Sequence, residues 1–171
     1  MVKGLKETSG LITIGADIAE AAPNTFTQLE VDLQLDPLNQ EVFVVYAVDL
    51  NVSPPDAIAA TDTQSRASTS TTSRTTFGTI ADTNVMAESL DAIRANGFAD
   101  GGVGFSRTSG ETPTGDLPYL AIIATNQFFL QVQGQGNVNP KTASVKIFGA
   151  RARADASIYS ALVQSELLSG N

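Results

Sequence analysis

The chain has 171 residues, a formal net charge of -8, and neither Cys nor His. It can form no disulfide, no Cys- or His-built zinc site and no Ser-His-Asp or Cys-His triad, and it lacks the usual general base for neutral pH. The length fits one domain, and a single body of this size buries about 70% of its unfolded surface without staples.

The charge is unevenly placed. Between Glu7 and Ser65 there are acids but no Lys or Arg; cations sit at Lys3 and Lys6, around the Ser/Thr-rich stretch, and late in the chain at Lys141, Lys146, Arg151 and Arg153. An acidic body repels phosphate, which excludes nucleic acid as the partner of its main surface. Lys3 and Lys6 imitate the start of a secretory signal, but LITIGADIAEAA carries Asp17 and Glu20 where an apolar segment belongs, so synthesis without a signal peptide is expected.

In chain order, residues 1–9 read as a flexible N-terminal arm, and GLITIGADI (10–18) as a short strand. QLEVDLQLD (28–36) alternates strictly, with Leu29, Val31, Leu33 and Leu35 on one face. The turn Asp36-Pro37-Leu38-Asn39 leads into EVFVVYAVDLNV (41–52), apolar on both faces at first and then alternating; the two runs predict an antiparallel hairpin. Pro54-Pro55 ends the second run.

Residues 53–76 read as a Ser/Thr-rich loop. In TDTQSRASTSTTSRTT (61–76), eleven of sixteen residues are Ser or Thr, polar β-formers rather than the Gly and Pro of a linker. This loop is expected to be exposed and to run into an exposed strand near 73–79; plain disorder is the alternative. AESLDAIRAN (87–96) has helix-forming composition and a closing Gly97, with a strand as the other possibility. FADGGVGF (98–105) precedes SRTSGETPTGD (106–116), a loop by composition. LPYLAIIAT (117–125) and QFFLQVQGQG (127–136) predict another hairpin or one bent strand. The uncharged run from Leu117 to Pro140 holds too many Gln, Asn, Gly and Pro residues to span a membrane as a helix. TASVKIFGARARA (142–154) is the last strand. Residues 155–168 form a C-terminal helix with Asp155 as N-cap and Ser169-Gly170 as its end. The predicted architecture is all-β: one antiparallel β-sandwich or jelly roll over 1–171, with a short C-terminal helix.

Chemistry-bearing patterns are sparse. Asp32, Asp36 and Asp49 could gather on one polar face, but strand-face carboxylates are normally solvated. GGVG (101–104) is not a dinucleotide fingerprint and lacks a parallel βαβ context. Asn51-Val52-Ser53 matches a glycosylation pattern, though the following Pro argues against its use. No catalytic residue, metal, cofactor or small-molecule substrate is expected. The candidates are interfacial instead: Phe129, Gln131 and Gln133 on an uncharged strand face, opposite Phe128, Leu130 and Val132 in the core; Arg151 and Arg153, directed at an acidic neighbour; and Ile158, Leu162 and Leu167 on the C-terminal helix.

TNVMAESLDAIRANGFADGGVGF (83–105), IIATNQFFLQVQGQGN (122–137) and KIFGARARADASIYSALVQSELLSGN (146–171) together resemble single jelly-roll capsid proteins of tailless icosahedral viruses, bacterial or archaeal. The resemblance covers about 100 residues. It implies a shell subunit, located in the virion and made in the host cytoplasm, that packs beside copies of itself and carries no catalysis. It further implies other capsid proteins as partners and, through the basic N-terminal arm, an internal membrane or the genome. A carbohydrate- or cell-surface-binding β-sandwich of fibre or adhesin type is the alternative.

Overall fold

The computed structural model describes residues 4–109 and 117–169. Ten strands precede one helix: β1 (Leu5–Glu7), β2 (Ile12–Ala19), β3 (Thr27–Asp32), β4 (Glu41–Val52), β5 (Thr63–Ser70), β6 (Val85–Arg94), β7 (Val103–Thr108), β8 (Ala121–Ile123), β9 (Gln127–Gln135), β10 (Thr142–Ala154) and α1 (Ala156–Ser169). Four antiparallel pairings nest inside one another: β5 with β6, β4 with β8, β3 with β9, and β2 with β10. They make one long ribbon folded back at β5–β6. Rolling that ribbon brings β10 against β4 and β9 against β5. The outcome is two sheets, β2-β10-β4-β8 and β3-β9-β5-β6-β7, in the wrapped order of a jelly roll. β1 extends the first sheet along β10 beyond the end of β2, and β7 is an added edge of the second.

The core lies between the sheets. Phe43, Val45, Val48, Leu50, Val145 and Ile147 come from the first sheet; Ala67, Phe128, Leu130 and Val132 from the second; Leu33 and Leu35 fill one end. Leu29 and Val31 pack against this core, so all four leucine-and-valine positions of 28–36 face inward. Their hairpin does not form. β3 pairs with β9 and β4 with β10, because residues 33–40 carry the chain from one sheet to the other. Strict alternation fixes which face is buried, not which strand lies alongside.

The Ser/Thr-rich stretch is a second correction. Residues 63–70 are β5, an interior strand paired on both edges, and Ser65, Ser68, Thr69 and Ser70 are fully buried. Three of the four hydroxyls have partners: Ser65 donates to Ser53 O, Ser68 to Gln131 Oε1 and Ser70 to Thr72 O. The loop expected over 53–76 therefore divides into segments flanking a strand, and residues 73–79 are irregular, with a bend at 75–76, rather than a strand. Residues 85–94 are β6, where pairing on both edges overrides helix-forming composition. β8 and β9 lie in different sheets with a corner at 124–126, so 117–136 is a bent run and not a hairpin. Ser106–Thr108 belong to β7 rather than to a loop. Within the expected N-terminal arm, Leu5–Glu7 pair with Ala152–Ala154; residues 1–3, 110–116 and 170–171 lie outside the described residues.

Candidate interaction surfaces

The outer face of the first sheet is divided. One half is apolar: Val42, Val44, Ala152 and Ala154, with Tyr46 and Ile122, lie beneath α1. Ile158, Tyr159, Leu162 and Val163 of the helix pack onto them. Residues 156–169 hold to a helix because apolar positions recur at 158/162 and 159/163 with no Gly or Pro between them. Glu166 pins the far end. Its two carboxylate oxygens accept the backbone N–H groups of Ala124 (2.9 Å) and Thr125 (2.8 Å), which have no strand partner at that corner. Burial pushes the Glu166 carboxyl above its ordinary range, and these hydrogen bonds pull the other way.

Glu166 is the only charged residue of α1 and it points inward. The exposed positions are Ala156, Ser157, Ser160, Ala161, Gln164, Ser165, Leu167 and Leu168, with no charge among them. Leu167 and Leu168 are 68% and 85% exposed. Of the interfacial candidates on this helix, Ile158 and Leu162 are thus occupied by the protein's own sheet, and Leu167 faces outward. Leu168 is not among those candidates, because helical spacing suggests that one of two adjacent leucines turns to the sheet, whereas both lie outside it.

The other half of the same face is polar and open. Cross-strand rows place Asp17, Ser144 and Asn51 side by side, then Gly15, Lys146 and Asp49. A groove of about 440 Å³ runs along Asp17, Asn51, Ser53, Thr142 and Ser144. Asp32 belongs to the opposite sheet, where it accepts from Asn126 Nδ2 and Gln34 N, and Asp36 caps the short turn at Pro37–Asn39. The three aspartates considered together therefore do not converge, and among the described residues no group of three or more acidic side chains is placed to hold a metal.

The strand face expected as a subunit interface is closed by the chain itself. Phe129 is buried and Gln131 has no exposure at all. Gln131 Nε2 donates to Gln28 Oε1 (3.1 Å) and Ser70 Oγ (2.7 Å), while its Oε1 accepts from Ser68 (2.6 Å). Gln133 Oε1 accepts from Arg66. Segment 71–84 lies across this face: Arg74 N–H donates to Gln28, Phe77 stacks 4.4 Å from the Arg66 guanidinium, and Ile80 N–H donates to buried Glu88. Arg74 also bridges Asp82 (3.2 Å) and donates to Asn84 Oδ1, which stiffens the cover. The amide-rich face is thus covered from within the chain, with Arg66, Arg74 and Glu88 taking part in the hydrogen bonding.

Arg151 and Arg153 are likewise committed within the chain. Arg151 donates to Leu33 O, Gln34 O and Glu41, and Arg153 to the backbone and side-chain oxygens of Asn39. They tie the crossing segment 33–41 to β10.

At the opposite end a polar knot joins three loops. Buried Glu20 accepts from the backbone of Gly134 and Lys141. Buried Lys141 donates to Asp56 (2.5 Å) and Pro54 O (3.2 Å), and Asp56 also accepts from the N–H groups of Val138 and Asn139. The hydrogen bond from Lys141, helped by those backbone donors, holds the Asp56 carboxyl down at about 2.

The last exposed feature is β7. Its six residues are all exposed, and β6 is its one neighbour among the described residues. Val103 and Phe105 are 49% and 57% exposed, and Phe98 in the preceding loop is 50% exposed.

No protein-family model matches the chain, and no curated protein matches it. Among solved structures, the chain is similar to VP1 of Washington University polyomavirus, in an unassembled pentamer of a mutant, with 8% identity and a TM-score of 0.36 over 88% of this chain and 98% of that one. At that score nothing is transferred from one chain to the other.

Proposed function

We propose that this chain is a structural subunit of a virus shell, bacterial or archaeal in type, that assembles with copies of itself and performs no catalysis. The observation that carries the reading is α1: a helix laid on the outer face of a jelly roll, its one charge turned inward, presenting an uncharged face with two exposed leucines. A helix whose outer side carries no charge and ends in two exposed leucines suits a further covering. Jelly rolls serve viral capsids and lectins alike, so the wrapped topology supports the class and the helix face supports assembly within it. The virion is then the proposed location. Other capsid proteins are proposed partners at the same face, and a membrane or genome is proposed at the basic N-terminus, where Lys6 is exposed on β1.

A second reading, a carbohydrate- or cell-surface-binding sandwich, is favoured by the open polar groove at Asp17, Asn51 and Ser144. Electron microscopy and light scattering of the purified protein across concentration separate the two. Rings, sheets or shells are expected. A monomer at every concentration that binds immobilised glycans would replace the shell reading with the second.

A further inference from the structure

β7 stands outside the wrapped ribbon. The eight strands that make the jelly roll close without it, and none of its side chains is buried. A strand that carries Val103 and Phe105 yet buries neither is not explained by the subunit's own core.

Its hydrogen-bonding edge can be read from the register. Ser109 N–H donates to Glu88 O at 2.8 Å, and Ser89 lies opposite Thr108. Hydrogen-bonded pairs alternate along an antiparallel ladder. They therefore fall at Leu90/Arg107, Ala92/Phe105 and Arg94/Val103. The backbone groups of Val103, Phe105 and Arg107 face β6. Those of Gly104, Ser106 and Thr108 face away, where no described strand meets them. Natural edges are usually protected by Lys, Pro or a bulge. β7 reads VGFSRT, without Lys or Pro, and its register with β6 is unbroken.

We infer that β7 pairs antiparallel with β7 of a second copy of this chain, with Ser106 on the twofold axis, joining the second sheets of the two copies into one. This rests on the reading that copies of the chain self-associate. The register is chosen by the residues. With Ser106 opposite Ser106 of the second copy, Gly104 meets Thr108, and every outward N–H and C=O of those three residues is used. The same register sets Phe105 opposite Arg107 of the second copy, on both sides of the axis, so a guanidinium meets an aromatic ring and the two arginines stay apart. β7 itself carries no acid, and Arg107 already offsets Glu88 at 3.1 Å. The Asp91 carboxylate accepts the Ser106 hydroxyl at 2.7 Å and lies one strand back from the new seam, so the seam itself sets no two carboxylates in direct contact.

The chain has no Cys, so single cysteines report the register directly. Ser106→Cys on a twofold axis brings two Cα atoms to about 5.5 Å, within disulfide range. Under mild oxidation of the full chain, Ser106→Cys is expected to give the covalent dimer, well above Phe105→Cys and above the remote control Thr13→Cys. Ser106→Pro removes the outward N–H and the Ser106 Oγ hydrogen bond to Asp91 (2.7 Å) but no backbone bond of the β6 ladder, and it is expected to weaken the dimer roughly tenfold or more relative to Ser106→Ala, which loses only the hydroxyl, through the loss of two edge hydrogen bonds. Cross-linking at Phe105→Cys instead of Ser106→Cys, or no site exceeding Thr13→Cys, overturns the pairing. Shells that form equally well with Ser106→Pro, with no Ser106→Cys cross-link, overturn β7 and leave the shell reading in place. Specific Ser106→Cys dimers without any larger assembly uphold β7 and remove the shell.

Discussion

Asp56 and Glu166 are both carboxylates that bind backbone N–H groups, yet their surroundings push them in opposite directions. Asp56 meets the Lys141 ammonium, and its folded pKa of about 2 lies below its ordinary value of 3.8. Its contribution to stability is present above 3.8 and is lost as pH falls through about 2. Among the described residues no cation pairs with Glu166, and burial dominates, so its pKa lies above 4.5. Its contribution is complete below 4.5 and is lost as pH rises through the folded value. Many acids titrate in this region, so the informative quantity is the difference between variants. The melting-temperature gap between the natural protein and Asp56→Asn should be widest at neutral pH and close between pH 3.8 and 2. A gap that stays constant to pH 2 would mean that Asp56 is not held by Lys141 in solution. Such a knot of charges is not visible in the sequence, because Glu20, Asp56 and Lys141 stand far apart along the chain and meet only when the ribbon is rolled.

At the level of elements, β4 explains why part of the fold was legible and part was not. Its first residues are apolar on both faces because Phe43 and Val45 face the core while Val42 and Val44 face α1. Beyond Tyr46 the inward positions become Val48 and Leu50, a change of phase. The cause is a register shift against β10, where Phe148 opposes Ala47 but Gly149 opposes Val45. Strand, burial and face could be read from alternation, but pairing could not, and a bulge is invisible to a period-two pattern. β5 failed for a different reason: hydroxyl side chains look like a loop until their partners on β9 and the β4–β5 connection are supplied. Gly149 is the residue that permits the bulge. A Cβ there would lie 2.3 Å from Val44 O and 2.5 Å from the Phe43 ring, atoms of backbone and core that cannot step aside. Gly149→Ala should destabilise by about 2–4 kcal/mol, in the range of overpacked or strained sites. A denaturant midpoint within error of the natural protein's would show that the sheet has room at the bulge.

For the whole molecule, the proposed assembly sets net charge against uncharged patches. At -8, each copy repels the next over a distance set by the Debye length, about 8 Å at physiological salt. Arg151 and Arg153, which could have supplied attraction across subunits, are spent on Leu33, Gln34, Asn39 and Glu41 of their own chain. In the proposed assembly these two arginines are already engaged within their own chain, and screening of the net charge is expected to help rather than hinder. Assembly is expected to strengthen as salt rises from low ionic strength and then to level off once the repulsion is screened. The apolar side of the contest belongs to Leu167 and Leu168, whose exposure means that charging them costs the subunit little. Leu167→Asp with Leu168→Asp should leave the melting temperature of the dilute subunit nearly unchanged and shift the concentration for assembly upward by about tenfold or more, each leucine removing on the order of 1–2 kcal/mol of burial. Light scattering over a joint salt and concentration series reads both effects. If the double variant assembles at the same concentration as the natural protein, α1 is not the contact. If added salt dissolves the assembly instead, charge pairs hold it, and the acidic surface itself must carry the interface.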